Sequence, residues 1–486
     1  MAERAIKVTD NYKLSATFRS IALKILHYLF GLPPVRTGGV PQYVLDLAQG
    51  QKSVGCEVNI LIPGPISMKN RDNVSIKQWK AQDGISFYRI FNPQYIPNGY
   101  GIRQPEQFMR NCSTEIYKTW LESLKPDILH IHSLLGLHLE LLKAAKILKI
   151  PVIYTTHDYF GLCPKIDLLK DGIVCQEKNW TKCQACCTSA YELKRLTFEQ
   201  SEIYRIYCGN NLLMSLVHCS DASRVKRFVS GLLHSKEASF VVSNDEKQAS
   251  RQYLELEAYY QKCLYLVDWY HFNSRQTLSI FMEKMDSIKG NVIPVSNRGI
   301  QDNRKSRAYK QTLRLGYLGN NMRFKGYDFL LAELKELYQS GRTDFYVNTY
   351  MLEEIELPFT RRHKPYTREQ LSMIFDEMDV LVVPSIWKET FGMVVAEALS
   401  YGVPVLVSEN VGAKMLVEDY AGVGRIFSLQ KHELAKFLID IYDNRALLSK
   451  MNDCILESNI NFEYSKHVQD VLDMYTHAIR DREMRK

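Results

Sequence analysis

The chain has no long hydrophobic run. A bilayer span needs about 20 apolar residues, and the best stretch, Ile21 to Leu32, is broken by Lys24 and His27. Met1 to Asp10 holds no apolar core of the kind that precedes a secretory cleavage site, so a non-secreted, cytoplasmic protein is expected. Neither sign of charge dominates: 62 Lys and Arg stand against 54 Asp and Glu, a net of +8 over 486 residues. No nucleic-acid-binding motif is present, and no nucleic-acid partner is expected. Low-complexity tracts and short-period repeats are also missing. With 46% hydrophobic and 24% charged residues, a disordered or fibrous chain is excluded.

What is there is enough chain for two large domains or up to four smaller ones, at about 100–200 residues each. The first half alternates strand and helix signals. Leu23–Leu29 reads as a buried strand, followed by a loop ending in Gly38-Gly39. A helix then starts near Val40, with Val40, Tyr43, Val44 and Leu47 on one face. Strands follow at Glu57–Ile62, Asp127–His132 and Pro151–Thr156, the last two separated by a helix near 136–148. Residues 188–262 read as a mostly helical insertion. After a last strand at Asn291–Val295 and a basic linker, the pattern restarts with strands at Leu313–Leu318, Phe345–Tyr350, Val380–Pro384 and Val403–Ser408. Strands spaced by helices predict parallel βαβ units. The expected architecture is α/β, with two doubly wound, Rossmann-like domains at 1–305 and 306–460 and a charged helix over 461–486 that returns toward the first. Ligands bind beyond the carboxyl ends of parallel strands, so the two domains face an interdomain cleft.

Two segments carry the clearest chemistry. In Pro384-Ser-Ile-Trp-Lys-Glu389-Thr-Phe-Gly392 a strand gives way to a loop and then to a helix containing Glu397. The first N–H groups of that helix can receive a phosphate or a sugar hydroxyl, and Gly392 allows close backbone approach. A carboxylate at the depth of Glu397 suits a vicinal diol, whose two hydroxyls match its two acceptor oxygens. In Gly319-Asn-Asn-Met-Arg323-Phe-Lys325-Gly326 a strand ends in a glycine turn that offers Lys325, and Arg323, to a diphosphate. Its ending differs from that of a Walker loop. Taken singly, the two glutamates read equally well as surface charges, and the lysine as a loop cap.

Together the segments resemble glycosyltransferase family 4, retaining enzymes of the GT-B fold that use nucleoside-diphosphate sugars. Glu389 and Glu397 match the family's Glu-x7-Glu motif, and Gly319, Lys325 and Gly326 its phosphate loop. Gly38-Gly39 and Lys125-Pro-Asp-Ile-Leu-His-Ile-His132 fit its amino-terminal half. The resemblance implies a role for each residue. Glu397 binds the donor ribose, Lys325 neutralises the departing diphosphate, and Glu389 with the backbone of Phe391, Gly392 and Met393 holds the transferred sugar. Gly38 and Gly39 approach the phosphates, and His132 contacts the sugar or the acceptor hydroxyl. The family places Arg directly after the first glycine of the phosphate loop, where this chain has Asn320. Arg323 is expected to supply that cation.

His157-Asp158 follows a strand and is expected on the acceptor side, either as a general base or as organisers of their loop. His130 shares a strand face with His132 and is expected to be buried and structural. Five of the 11 cysteines fall between Cys163 and Cys187. Cys163, Cys175, Cys183 and Cys186 are the candidate ligands of a structural zinc, with free thiols the alternative. Catalysis itself is expected to need no metal or other cofactor.

The expected activity moves a sugar from a nucleoside-diphosphate sugar to a glycan or lipid-linked acceptor, in polysaccharide or glycoconjugate synthesis. Residues 1–36, with six basic and two acidic side chains, suit peripheral contact with the inner membrane face. A GT-B sugar-nucleotide epimerase and a catalytically silent sugar-nucleotide-binding subunit are the alternatives. A nicotinamide dehydrogenase is disfavoured because Pro33–Gly39 lacks Gly-x-Gly-x-x-Gly.

Overall fold

A computed structural model describes residues 22–97, 101–177, 179–209, 246–319, 322–351 and 356–484. The first 21 residues of the basic leader, residues 210–245 of the expected helical insertion, and Asn320 lie outside the described residues.

The first sheet contains β1 (Lys24–Tyr28), β2 (Glu57–Pro63), β3 (Ser75–Gln82), β4 (Ile85–Phe91), β5 (Ile128–Ile131), β6 (Val152–Thr155), β9 (Trp269–Phe272) and β10 (Gly290–Val292). Its order is β10-β9-β6-β5-β1-β2-β4-β3. Every pair is parallel except β3 with β4 at the edge. The central strands are near-continuous apolar runs because helices cover both faces of a parallel sheet. The β3–β4 hairpin is not apparent in the sequence. Its outer strand, Ser-Ile-Lys-Gln-Trp-Lys-Ala-Gln, is polar and mostly exposed, as an unpaired edge requires. Two short strands, β7 (Leu169–Lys170) and β8 (Ile173–Val174), pair antiparallel within the cysteine-rich segment.

The second sheet contains β11 (Leu313–Tyr317), β12 (Phe345–Thr349), β13 (Thr360–Arg362), β14 (Val380–Val383), β15 (Val405–Ser408) and β16 (Gly424–Phe427). All six are parallel, in the order β13-β12-β11-β14-β15-β16. The edge strands β13 and β16 were not legible beforehand: β13 is three polar residues, and β16 is Gly-Arg-Ile-Phe.

The last helix, Tyr464–Glu483, crosses back to the first sheet. It buries Val468, Val471, Met474, Tyr475 and Ala478 at helical spacing, against a cluster that includes Tyr43, Val44 and Leu47 of the helix Gly39–Ser53. Two sets of ion pairs also join the halves. Arg275 holds Asp419 and Glu418 at 2.9 Å, and Arg368 holds the buried Asp46 at 3.0 Å. Among the described residues no helix is long and apolar enough to cross a membrane.

Candidate active site

The cleft is built where strand ends from the two sheets face each other. On the side of the second sheet, β11 runs into a 3₁₀ turn at Arg323–Lys325, closed by Gly326. Gly326 has φ +77°, and a Cβ there would stand 1.8 Å from the Pro384 carbonyl oxygen. Only glycine allows this turn to lie against the end of β14. The contact is locked from the other loop, where the Ile386 N–H donates to the Phe324 carbonyl at 2.8 Å.

That packing brings the Arg323–Lys325 loop onto Glu389. Lys325 Nζ lies 2.5 Å from Glu389 Oε1 and 5.5 Å from the centre of the Trp387 ring. The Ser385 hydroxyl donates to Glu389 Oε2. The Glu389 backbone is held as well, its N–H donating to the Asn410 carbonyl at 2.9 Å and its carbonyl accepting from Gly412 at 2.9 Å. The carboxylate is therefore oriented by three elements of the second domain, with little freedom of its own.

The first domain clamps the same loop. The Gln276 amide donates to the Glu389 carbonyl at 2.9 Å. The Ser274 hydroxyl donates to the Thr390 carbonyl at 2.6 Å, and the Thr390 hydroxyl to the His157 carbonyl at 3.1 Å. Gly392, at φ +97°, then turns the chain into the helix Met393–Ser400. Its first turn carries N–H groups without intrahelical partners and the positive end of the helix dipole. A Cβ on Gly39 would stand 3.0 Å from Met393 Cε, so the glycine loop of the first domain faces this helix start directly. Glu397, one turn further in, is half-buried. Burial pushes its carboxyl above the ordinary range, an effect partly offset by the Asn297 side chain and the Arg368 charge.

The arrangement offers one ammonium, one fixed carboxylate, a helix N-terminus and a deeper carboxylate around a single cleft. Such a set can take a ligand with anionic groups at one point and hydroxyls on either side. The halves of the chain that build it each match a known family. Residues 37–179 fit the Glycosyltransferase Family 4 model, and residues 301–457 the Glycosyl transferases group 1 model. The chain belongs to glycosyltransferase family 4.

As a family 4 chain it is 33% identical over 123 residues to the D-inositol 3-phosphate glycosyltransferase of Streptomyces coelicolor, a match covering 25% of this chain and 26% of that protein. An uncharacterised 41.2 kDa protein in the cps region of Klebsiella pneumoniae is 27% identical over 172 residues, 34% of this chain and 47% of that protein. The matched stretches thus span about a quarter to a half of these relatives' own lengths. The sucrose-phosphate synthase of Thermosynechococcus elongatus superposes with a TM-score of 0.53 at 14% identity, covering 94% of this chain and 100% of that one. Anabaena HepE, solved with UDP and glucose, gives 0.52 at 12% identity, covering 93% and 99%. The shared fold is GT-B, two Rossmann-like domains facing a cleft.

Within this family 4 site the expected residues fall into distinct places. Lys325 and Glu389 meet, and Gly39 meets Met393. Arg323 is exposed and makes no ion pair among the described residues. Gly38 is exposed at the helix entry, Gly319 is half-buried at the end of β11, and Phe391 is buried beneath the loop. His132 differs from expectation. It is fully buried, with one ring nitrogen 3.0 Å from His27 Nδ1 and the other 3.3 Å from His157 Nε2. Neither nitrogen is left for a sugar or an acceptor; the half-buried His157 takes the second of them and links through its carbonyl to Thr390. Asp158 is also turned away: it accepts from Ser133 Oγ at 2.8 Å and from the Phe160 N–H at 2.9 Å, and burial raises its carboxyl to about 6. It organises its loop. His130 is buried, hydrogen-bonded to Tyr475 and Thr155.

The cysteines share one neighbourhood: Cys163, Cys187, Cys186 and Cys175 each add to the cost of ionising Cys183, which burial dominates. Burial also raises the Cys163 thiol to about 12. Among the described residues no three of these sulfurs lie within 4.8 Å of one another in the arrangement without metal. The clamp residues Ser274, Gln276 and Thr390 were not singled out from the sequence. A serine or threonine ahead of a helix suggests a cap, and Ser274 with Thr277 does form a capping box, but the partner across the cleft leaves no local signal.

Proposed function

We propose that the chain is a retaining glycosyltransferase that moves a sugar from a nucleoside-diphosphate sugar to a hydroxyl of a glycan or lipid-linked acceptor. The observation that carries this reading is the meeting of Lys325 with the fixed Glu389 carboxylate beside the helix start that faces Gly38-Gly39. When a donor enters, its diphosphate competes with Glu389 for the Lys325 ammonium, forming the charge-assisted bonds that phosphate oxygens favour. The N–H groups of Met393 and its neighbours add to that stabilisation as the diphosphate departs and negative charge develops. Glu397 takes the ribose diol, and Glu389, released from Lys325 but still held by Ser385, receives hydroxyls of the transferred sugar. In this reading the acceptor sits on the first domain, and closure of the cleft keeps water from the donor. The same reading puts the enzyme on the cytoplasmic face of a membrane, with its basic amino-terminal segment in peripheral contact.

The test is nucleotide release from UDP-, GDP- and ADP-sugars, each measured with and without candidate acceptors. Acceptor-dependent release of one nucleotide, with the anomeric configuration of the donor kept in the product, supports transfer. Conversion of the donor without an acceptor indicates an epimerase, and binding without turnover a silent subunit. Either result contradicts the proposal.

A further inference from the structure

The first domain holds more buried imidazole than the donor site uses. Strand register creates it: His27 of β1 lies opposite His130 of β5, and Thr155 of β6 opposite His271 of β9. His132, two residues after His130, projects to the same face, with ring centres 4.0 Å apart. The last helix adds Tyr475, and the helix Gly39–Ser53 adds Gln51. These groups form one hydrogen-bonded path that ends at His157.

A single fixed end sets the direction of every bond along it. The Ile293 carbonyl only accepts, so His271 Nε2, at 2.8 Å, carries a proton. A neutral His271 then accepts at Nδ1 from the Thr155 hydroxyl at 2.9 Å. That hydroxyl has spent its one proton, so at 2.7 Å it accepts from His130 Nε2. His130 Nδ1 in turn accepts from the Tyr475 hydroxyl at 2.5 Å, which leaves Tyr475 to accept from the Gln51 amide nitrogen at 3.1 Å. The Gln51 carbonyl oxygen therefore faces His27 and accepts from its Nε2 at 2.7 Å. His27 Nδ1 accepts from His132 Nε2 at 3.0 Å, and His132 Nδ1 from His157 Nε2 at 3.3 Å. No donor faces a donor anywhere along the path.

We propose that this directed path fixes His157 as the neutral tautomer protonated at Nε2, holding its Nδ1 as a hydrogen-bond acceptor for a hydroxyl of the sugar acceptor in the cleft. His157 Nδ1 makes no hydrogen bond among the described residues. The His157 carbonyl receives the Thr390 hydroxyl, next in sequence to Glu389, and the ring stands edge-on to Tyr43 with centres 4.9 Å apart. Burial lowers all five imidazoles toward the neutral form, as the path requires. Tyr475, Gln51 and Thr155 act through their neighbours and are positioning residues. The ligating nitrogens of His27, His130 and His132 lie within 4.8 Å of one another, a spacing that would also suit a metal ion. The path already engages both nitrogens of each ring, so the metal is the competing outcome.

The choice of hydroxyl rests on the transferase reading; the tautomer does not. The experiment is a long-range proton–nitrogen NMR correlation on the full chain labelled with ¹⁵N-histidine near neutral pH, with His157 assigned through His157→Asn. A single His157 tautomer protonated at Nε2 is expected. Tyr475→Phe and Thr155→Val each cut the path, and each is expected to mix the His157 tautomers while circular dichroism stays unchanged. In transfer assays His157→Leu is expected to lose about tenfold in kcat/KM for the acceptor, the scale of one hydrogen bond, with His157→Asn losing less. His157 protonated at Nδ1, or charged, in the unmodified chain overturns the proposal. So does a tautomer unmoved by either variant, or stoichiometric metal whose removal shifts the His27, His130 and His132 signals. A chain with the expected tautomer but no transfer would overturn the transferase reading alone.

Discussion

Lys325 and Glu389 form an ion pair at 2.5 Å across two loops that follow neighbouring strands, β11 and β14. The pair is the site's only close cation–carboxylate contact between the two motif loops among the described residues, and on the proposed function a donor diphosphate breaks it. The motif's spacing therefore has a physical meaning: one charge is held ready by the other. Lys325→Ala is expected to reduce nucleotide release by about 10²–10³-fold, the usual cost of removing one group that stabilises developing charge. Lys325→Arg restores little, because a planar fork differs from a point charge. Steady-state release assays check both.

Gly326 makes that pair possible by letting the Arg323–Lys325 loop rest on the end of β14. With φ +77° and 1.8 Å between a built Cβ and the Pro384 carbonyl oxygen, Gly326→Ala has to move backbone. A loss of at least about 2 kcal/mol is expected from the left-handed conformation and the displaced loop together. Chemical denaturation measures it, and nucleotide affinity should fall with it.

Arg323 stands exposed at the rim of the same loop without an ion-pair partner among the described residues. If it supplies the positive charge that the family places after Gly319, Arg323→Ala weakens nucleoside-diphosphate binding by about fivefold to tenfold while nucleoside binding is unchanged. Titration calorimetry with both ligands reads the difference. Equal affinities in variant and parent would show that the cation has no substitute there.

Acid should destabilise the protein through its buried histidines. His27 and His271 are lowered to about 4 and His157 to about 3, with desolvation the main cause, while unfolded histidines titrate near 6.5. Between those values the unfolded chain binds protons that the native chain refuses, so stability falls as pH drops below about 6.5. Asp158, raised to about 6, works in the opposite sense, but it is one group against several. The melting temperature is expected to drop by several degrees from about pH 7.5 to about pH 5.5. A flat or rising profile would contradict this.

The sequence was most readable where one element carries its own signal. Central strands such as Val380–Val383 are apolar runs, and the motif loops carry glycines and charges at fixed spacing. Edges were harder, since β3 and β13 are polar strands defined by their single neighbour. Residues whose roles depend on partners distant in sequence were harder still. His27 meets His132 across 105 positions and Gln51 meets Tyr475 across 424. His132 looked available because the motif gives its strand position and not the two histidines that enclose it. The cysteines show the reverse case, for their close spacing in sequence does bring them into one neighbourhood. Metal analysis with thiol titration tests the zinc proposed at Cys163, Cys175, Cys183 and Cys186: one zinc per chain supports it, and little zinc with fully titratable thiols contradicts it.

The central claim is that a single nucleotide sugar bridges Lys325 and Glu397 in the cleft between the two domains. Donor turnover by Glu397→Ala, measured beside the unmodified chain under matched folding, tests it most directly. A loss of at least about a hundredfold, with a weakened response to the nucleoside diphosphate, is the predicted result; an unchanged rate would contradict the account.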